Sequence, residues 1–551
     1  MIMLKLIPLG GLGEIGLNMM VVEYKDTIFV IDAGLMFPED YMLGVDYVIP
    51  DFSYVKQNSA KVSGIVLTHA HEDHIGALPY LLKEINAPVF GTPFTLGFVR
   101  YKLEEHDLLG SVALHEIRPK ERLKMGPVEL EFIRVSHSVI DGVGLAIRTP
   151  VGMIIHTGDF KISYTAEPDM RTDVSRFAQC GEEGVLALLS DSTNVEKEGY
   201  TVPDRQIGKA LEQAMIGRRG RIIVALFASN VNRIQQIVNI AAKLGRKIIF
   251  NGRSIEVSVQ LAKSLGYVCI PTDMEIEIDQ LNDFADDEII MITTGSQGEP
   301  MSALARMAAG VHKQIKIRTD DTVILSSKFI PGNEKAIAGI INNLYRRGAD
   351  VIYEKISNIH VSGHAFQEEL KLLISLTKPK FFIPIHGEYR HLILHARLAQ
   401  SMGIPEDNLI LAQNGQCINI GRNHALIQDL AVAGRLLIDG KGIGDVGRSV
   451  LKERRMLSED GLVVVNMAVD EETGIIIYGP EIVSRGFVFE TATGHLVDDA
   501  QCVILELVEE IGPEVPNRVQ VLRAKLQTAL RQYFFFAIGR RPVILPFIIE
   551  V

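Results

Sequence analysis

Short apolar runs, each closed by a polar residue, dominate the first two hundred positions. Leu4 to Leu9 reads as a strand, and Met19 to Glu23 and Thr27 to Ile31 flank the turn Tyr24-Lys25-Asp26 as a β-hairpin. Gly64-Ile65-Val66-Leu67 is short, β-branched and followed at once by polar residues, the pattern of a buried strand entering a loop. Strands at Pro88 to Gly91, Val128 to Phe132, Gly144 to Arg148, Met153 to Ile155 and Val185 to Leu189 continue the series, with a helix around Pro93 to Glu105. Runs of this kind lead into Asp32, His69, His137, Asp159 and Asp191. One such ending means little; five place a site along one edge of a sheet sandwich.

The rhythm changes near residue 206. Strands at Arg221 to Phe227, Lys247 to Phe250, Tyr267 to Ile270, Glu288 to Ile292, Thr322 to Ser326 and Asp350 to Tyr353 are predicted. They alternate with helices at Val231 to Leu244, Ser254 to Leu265 and Asn333 to Arg347, as in a parallel α/β unit. Ligand chemistry returns at His360-Val361-Ser362-Gly363-His364 and, after the apolar Phe381 to Ile385, at His386-Gly387-Glu388. The α/β unit therefore reads as an insertion into a first domain that finishes after it. The expected divisions are 1–205 and 361–445 for the two parts of the first domain, 206–360 for the insert and 446–551 for a C-terminal block. In that block a hairpin (Leu462 to Ala468, Gly474 to Tyr478), helices at Asp498 to Ile511 and Pro516 to Phe534, and a last strand at Pro542 to Val551 carry no ligand-type cluster.

The densest chemistry is His69-Ala70-His71-Glu72-Asp73-His74. Neutral imidazole and carboxylate are the usual ligands of catalytic zinc. One metal needs three such groups; four at one strand end begin two sites. Two metals about 3.5–4 Å apart suit a phosphoryl displacement. A structural zinc would favour cysteines, and none is near. Asp32 reads equally well as a turn residue or as an acid orienting a ligand histidine. Gly11-Leu12-Gly13-Glu14-Ile15-Gly16 is a literal G-x-G-x-x-G, but a hairpin follows where a dinucleotide site needs a helix, so tight turning near the site is the better reading.

Composition narrows the class. The 551 residues are 47% hydrophobic and 23% charged, which suits a multidomain globular protein. Four dispersed cysteines without a C-x-x-C pair fit a reducing cytoplasm. The N-terminus lacks a signal peptide's apolar core, and no run of about 18 apolar residues predicts a membrane span. A net charge of −12 excludes a surface coated in basic charge for nucleic acid, though not a local basic channel. Arg218-Arg219-Gly220-Arg221, Arg246-Lys247 and Arg346-Arg347 are its candidate pieces, although each alone reads better as a solvated turn or helix end.

The His69–His74 stretch matches the H-x-H-x-D-H signature of the metallo-β-lactamase superfamily. The insertion followed by Ser362-Gly363-His364 and Pro384-Ile385-His386-Gly387-Glu388 resembles its β-CASP nucleic-acid-processing branch. With Gly11 to Gly16, Phe227-Ala228-Ser229-Asn230 and Thr294 to Pro300, the chain resembles the ribonuclease J family over essentially its whole length. The resemblance implies an αββα metallo-β-lactamase sandwich with an inserted parallel α/β β-CASP domain and a small α/β C-terminal domain. It implies a 5′-to-3′ exoribonuclease that also cuts internally, in RNA maturation and turnover. One zinc would be held by His69, His71 and His137, and the other by Asp73, His74 and His386, with Asp159 bridging; manganese or magnesium are alternatives. Asp191 and His364 would be an acid/base pair. Ser229, Asn230, Val231 and the segment His360, Val361, Ser362, Gly363, His364 would hold RNA phosphates. A homodimer or homotetramer, and RNA-decay partner proteins, are further implications. The chain departs from the family pattern at Asn232, Phe366 and Val139-Ile140. A DNA nuclease of the same branch, an inactive RNA-binding subunit and a small-thioester hydrolase are the alternatives; the intact ligand set and the insert weigh against the last two, and His386 against the first.

Overall fold

The computed structural model describes residues 3–164, 168–296, 299, 301–327, 333–353, 362–440, 442–487 and 495–551. His360 and Val361 lie outside them. The chain forms two compact units, Met1–Met36 with Ile49–Arg435, and Phe37–Val48 with Leu436–Val551.

Two sheets face each other in the first unit. The eight-stranded one runs in the order Ala425–Leu430, Gln416–Ile420, Leu4–Gly10, Met19–Tyr24, Thr27–Ile31, Val62–Val66, Val89–Gly91, Leu114–Glu116. The six-stranded one runs Phe381–Ile385, Val185–Asp191, Met153–His156, Val143–Arg148, Val128–Arg134, Arg122–Met125. Phe29 and Val66 of one sheet and Phe132, Leu145, Ile154, Leu189 and Ile383 of the other share one buried cluster. Alternation of side chains along each strand supplies that inner face. On the other face of the six-stranded sheet, Ile133, Ile155 and Leu188 pack with Phe177, Leu370 and Leu373 of the helices Val174–Glu183 and Gln367–Thr377.

The insertion is visible in the pairing. Val185–Asp191 precedes the insert and Phe381–Ile385 follows it, yet they are neighbours in parallel, Asp191 opposite Ile385. Between them lies a separate five-stranded sheet, Lys247–Asn251, Ile289–Thr293, Ile222–Ala225, Thr322–Leu325, Asp350–Ile352, every pair parallel. Tyr267 to Ile270 forms no strand of it. The Tyr267 and Val268 amides instead close the helix Arg253–Ser264 by donating to Ala262 C=O, and Cys269 N–H donates to Gln235 Oε1. A short apolar run cannot by its own pattern distinguish a strand from a packed helix end. The helices Asp204–Met215 and Ala303–Ala309 belong to the same insert.

The basic runs are not channel pieces at Arg221 and Arg246. Arg221 is fully buried, with Nε and Nη2 on the two oxygens of Asp321 at 2.9 and 2.6 Å and Nη2 on Lys316 C=O. Arg246 Nη1 donates to Gly220 C=O at 3.0 Å and its Nη2 to Arg218 C=O. Both guanidiniums tie strand and helix ends, where a planar fork of donors satisfies several acceptors at once.

In the second unit, Leu462–Val469 lies between Ile476–Arg485, antiparallel, and Val543–Glu550, parallel. The helices Leu496–Glu510 and Arg518–Ile538 cover one face of this sheet through Ile504, Leu522, Leu526 and Phe534. Arg448–Asp460 is a further helix there. Among the described residues no helix is long and apolar enough to cross a membrane.

Candidate metal centre

The strand Val62–Val66 delivers Thr68 and His69, and a one-turn helix at Glu72–Ile75 turns Asp73 and His74 toward the same point. His137, Asp159, Asp191 and His386 arrive from strand ends of the facing sheet, and His364 from the chain just before Gln367–Thr377. Their ligand atoms form three overlapping groups. These are His69, His71, His137 with Asp159; Asp73, His74, His386 with Asp159; and Asp191, His364, His386 with Asp159. Asp159 is common to all.

Spacing and orientation fit a cation. His71 Nδ1 lies 3.0 Å from His69 Nε2 and 3.1 Å from His137 Nε2. Nitrogens on a tetrahedral zinc at about 2.0–2.1 Å lie roughly 3.3 Å apart. Asp159 Oδ2 stands 3.6 Å from His69 Nε2 and 3.2 Å from His74 Nε2, and Asp73 Oδ2 3.7 Å from His74 Nε2 and 3.5 Å from His386 Nε2. Neither ring nitrogen of buried His386 is aligned with a hydrogen-bond partner, although Nδ1 sits 2.7 Å from Asp159 Oδ1. Buried polar atoms left so are rare without an ion or water to meet them.

The nitrogens that face away are fixed from behind. His74 Nδ1 is 2.8 Å from Asp32 Oδ2, His137 Nδ1 donates to Gly363 C=O at 2.8 Å, and His69 Nδ1 is 3.0 Å from Thr68 Oγ1. Asp32 also accepts from Thr68 N–H at 2.7 Å and Thr68 Oγ1 at 2.8 Å. Such backing sets the tautomer and ring direction of a ligand histidine. It also decides the reading of Asp32: this is an orienting acid. Gly363 approaches so closely that a Cβ there would stand 2.4 Å from the His137 ring. His386 itself has φ +51°, a left-handed conformation that costs a non-glycine residue about 1–3 kcal/mol and persists only where its surroundings impose it.

Burial pushes the His69, His71 and His137 imidazoles toward the neutral form, His71 to about 4. Burial acts the same way on His74, His364 and His386, but facing carboxylates outweigh it. Asp159 does so at His74 and at His386, which rises to about 10, and Asp191 does so at His364. In return Asp73, Asp159 and Asp191 are held low against their burial, chiefly by His74, His386 and His364. The carboxylates thus favour positive charge at this place, which a divalent cation would supply. His364 Nδ1 lies 2.8 Å from Asp191 Oδ2, a paired imidazole and acid beside the cluster.

Comparison with known proteins decides the family. Residues 12–185 match the metallo-β-lactamase superfamily, 219–344 the ribonuclease J β-CASP domain, 348–409 a zinc-dependent metallo-hydrolase RNA specificity domain, and 449–551 the ribonuclease J C-terminal domain. The chain is 43% identical to ribonuclease J 1 of Streptococcus pyogenes over 541 residues, covering 98% of this chain and 96% of that protein. It is 40% identical to ribonuclease J2 of Bacillus subtilis over 547 residues, 99% and 98% of the two. The chain belongs to the ribonuclease J family. It is a zinc-dependent metallo-hydrolase with a histidine–aspartate metal-binding cluster, and its substrate is RNA. A crystal structure of a protein of unknown function from Enterococcus faecalis superposes with a TM-score of 0.54 over 76% of this chain and all of that one, at 16% identity, which bears on fold alone.

Residues expected to hold RNA in this ribonuclease J chain fall into two groups. Ser362, Gly363 and His364 adjoin the cluster, through the Gly363–His137 and His364–Asp191 contacts. Ser229, Asn230 and Val231 lie at the start of the helix Val231–Leu244, where the Asn230 side chain accepts from Arg233 N–H at 3.1 Å as a cap. None of the hydrogen bonds or ion pairs found among the described residues joins that turn to the cluster.

Two further side chains organise the site, and their roles were not legible beforehand. Asn194 Nδ2 donates to Ser362 Oγ and, at 3.2 Å, to His364 C=O. Glu369 is fully buried and accepts from Ile162 N–H, Thr201 N–H, Thr201 Oγ1 and Phe366 N–H at 2.8–3.0 Å. It joins the segment after Asp159 to both chain crossings into the insert. The only sequence signals were an asparagine three residues beyond Asp191 and an acid at the third helix position, both ordinary.

Proposed function

We propose that this chain is a two-zinc ribonuclease that removes nucleotides from the 5′ end of RNA, prefers a 5′-monophosphate and also cuts internally. The reading assigns it to rRNA maturation and mRNA decay in the cytoplasm, as a homodimer or homotetramer working with RNA-decay partners. His69, His71 and His137 would hold one cation, and Asp73, His74 and His386 the other, with Asp159 shared by both groups; manganese or magnesium could stand in for zinc. The observation that carries the reading is the pair of His/Asp groups sharing Asp159, with the Asp191–His364 pair beside them.

Zinc held by these residues would lower the pKa of water and neutralise charge on the phosphodiester. Asp191 holds the His364 Nδ1 proton and orients the ring, leaving Nε2–H to protonate the departing ribose oxygen. The Asn194 amide fixes the backbone that carries Ser362 and His364, so the donor stays in register with the cluster. Ser362 and Gly363, with His360, Val361 and the Ser229–Val231 turn, receive the terminal phosphate. A monophosphate fits that end; a triphosphate is larger and more charged. The C-terminal strand supports assembly. Ile544 and Ile548 are buried while Leu545, Phe547 and Ile549 on the other face are 41%, 55% and 63% exposed.

The test is degradation of labelled RNA bearing 5′-monophosphate or 5′-triphosphate, by wild type and by His364→Ala and Ser362→Asp. Monophosphate RNA should be lost faster, His364→Ala should slow cleavage by about 10²–10⁴-fold, and Ser362→Asp should slow end removal more than internal cutting. Equal rates on both RNAs, or protection by a blocked 3′ end, would refute the reading.

A further inference from the structure

We propose that Glu14, Asn414 and Arg435 form a clamp that positions His386 for its cation, although the three stand outside the His/Asp cluster. The proposal rests on the two-zinc reading above.

His386 occupies a backbone region sparsely populated by non-glycine residues, so its neighbours must hold it there. On its N-terminal side it is the direct continuation of Phe381–Ile385, and its C=O accepts from Ser192 N–H at 3.3 Å and Thr193 Oγ1 at 3.2 Å. On its C-terminal side Gly387 and Glu388 pair in parallel with Leu12 and Gly13, and Glu14 bridges to Gly387. A ladder of two residues is too short to hold itself. Its partner segment is a glycine-rich loop with φ of +86° at Gly11, +80° at Gly13 and +100° at Gly16, which has little preference of its own.

What holds that loop is a side-chain relay from four hundred residues away. Asn414 Oδ1 accepts from Leu12 N–H at 3.1 Å, and its Nδ2 donates to Glu14 Oε1 at 2.6 Å. Arg435 Nε and Nη2 hold Glu14 Oε2 at 3.1 and 2.8 Å. The Glu14 side chain is 10% exposed and that of Arg435 37%, so water screens this ion pair only in part. Gly415 N–H donates to Pro8 C=O at 2.7 Å and docks the relay to the first strand. Both ends of the Asn414 amide are committed, oxygen to Leu12 and nitrogen to Glu14. A carboxylate of the same size keeps the first bond and sets a like charge against Glu14. Changing Glu14 to the amide as well restores a donor–acceptor pair with reversed polarity, and the new amide oxygen can still face Arg435.

The experiment uses the full chain, stripped of metal and titrated with zinc against a chromophoric chelator. Asn414→Asp should take up its first zinc as wild type does and its second about tenfold more weakly, within the range for partners that orient ligands. The double variant Asn414→Asp with Glu14→Gln should recover most of that loss, which a merely structural defect would not do. Unchanged affinity for both zincs in Asn414→Asp, or a double variant no better than the single, overturns the clamp. Should Asn414→Asp fail to fold, Arg435→Gln, which takes the guanidinium away from Glu14, must weaken the second zinc about threefold; an unchanged value overturns the clamp equally. Uptake of a single zinc by wild type refutes the two-zinc reading instead, and the clamp is then judged on that one affinity by the same variants.

Discussion

Replacing Glu369 by glutamine keeps volume and shape but turns one acceptor oxygen into a donor. Glu369 Oε1 now accepts from Ile162 N–H and Thr201 Oγ1, and Oε2 from Thr201 N–H and Phe366 N–H. With NH2 at the Oε1 position Ile162 N–H loses its acceptor while the Thr201 hydroxyl reverses and accepts; with NH2 at the Oε2 position the Thr201 and Phe366 amides both lose theirs. Each bond to a charged group contributes about 1.5–3 kcal/mol and each to a neutral one about 0.5–1.5, so one bond lost and three weakened cost about 3–6 kcal/mol before relaxation. No water compensates, because the side chain is fully buried. The effect is local, and hydrogen exchange at the same amides reports it directly. A loss of about 3 kcal/mol raises the open population roughly a hundredfold. Exchange should therefore accelerate at least that much in peptides carrying Ile162, Thr201 and Phe366, and much less in the second unit. RNA cleavage should fall as well, since Ile162 follows Asp159 by three residues and Phe366 follows His364 by two. Protection within about threefold of wild type at these three amides would refute the accounting.

Asp32→Asn leaves one acceptor oxygen, and with it on Thr68 N–H an NH2 faces His74 Nδ1; zinc should bind about 10–100-fold more weakly, read as metal retained after dialysis, and unchanged content would count against it. Asn194→Ala frees the Ser362 and His364 backbone and should lower kcat/KM for RNA about tenfold, through KM at Ser362 and kcat at His364, since a lost bond to two partners is about 1–2 kcal/mol; steady-state kinetics decide, and an unchanged kcat/KM would contradict the positioning role. Truncation after Asp445 removes the strand bearing Leu545, Phe547 and Ile549 and should shift the protein toward monomer in light scattering; unchanged mass would refute that face as an assembly surface.

Local pattern alone determined a good deal. The helices at Pro93–Glu105 and Val231–Leu244 have the predicted ends, because apolar period and end residues are local properties. His69 to His74 was legible as a metal motif because four potential ligands stand within six residues at a strand end, and the return of His364 and His386 after an α/β rhythm marked an insertion. Tertiary structure decided the rest. Tyr267 to Ile270 has a strand's composition but finishes a helix, and the outer edge of Lys247–Asn251 is bonded instead by Met274 and Ile276 at Ile248. Arg221 has a surface residue's composition but is buried on Asp321, one hundred positions away. Asp32 became an orienting acid only when His74 was folded against it. Glu369 drew meaning from four donors on three segments, and Asn414 from a loop at the opposite end of its unit. A hydrogen bond between positions 12 and 414 leaves no periodicity in the sequence. It exists because the first strand pairs with Gln416–Ile420 across the sheet, and that pairing is a property of the whole fold.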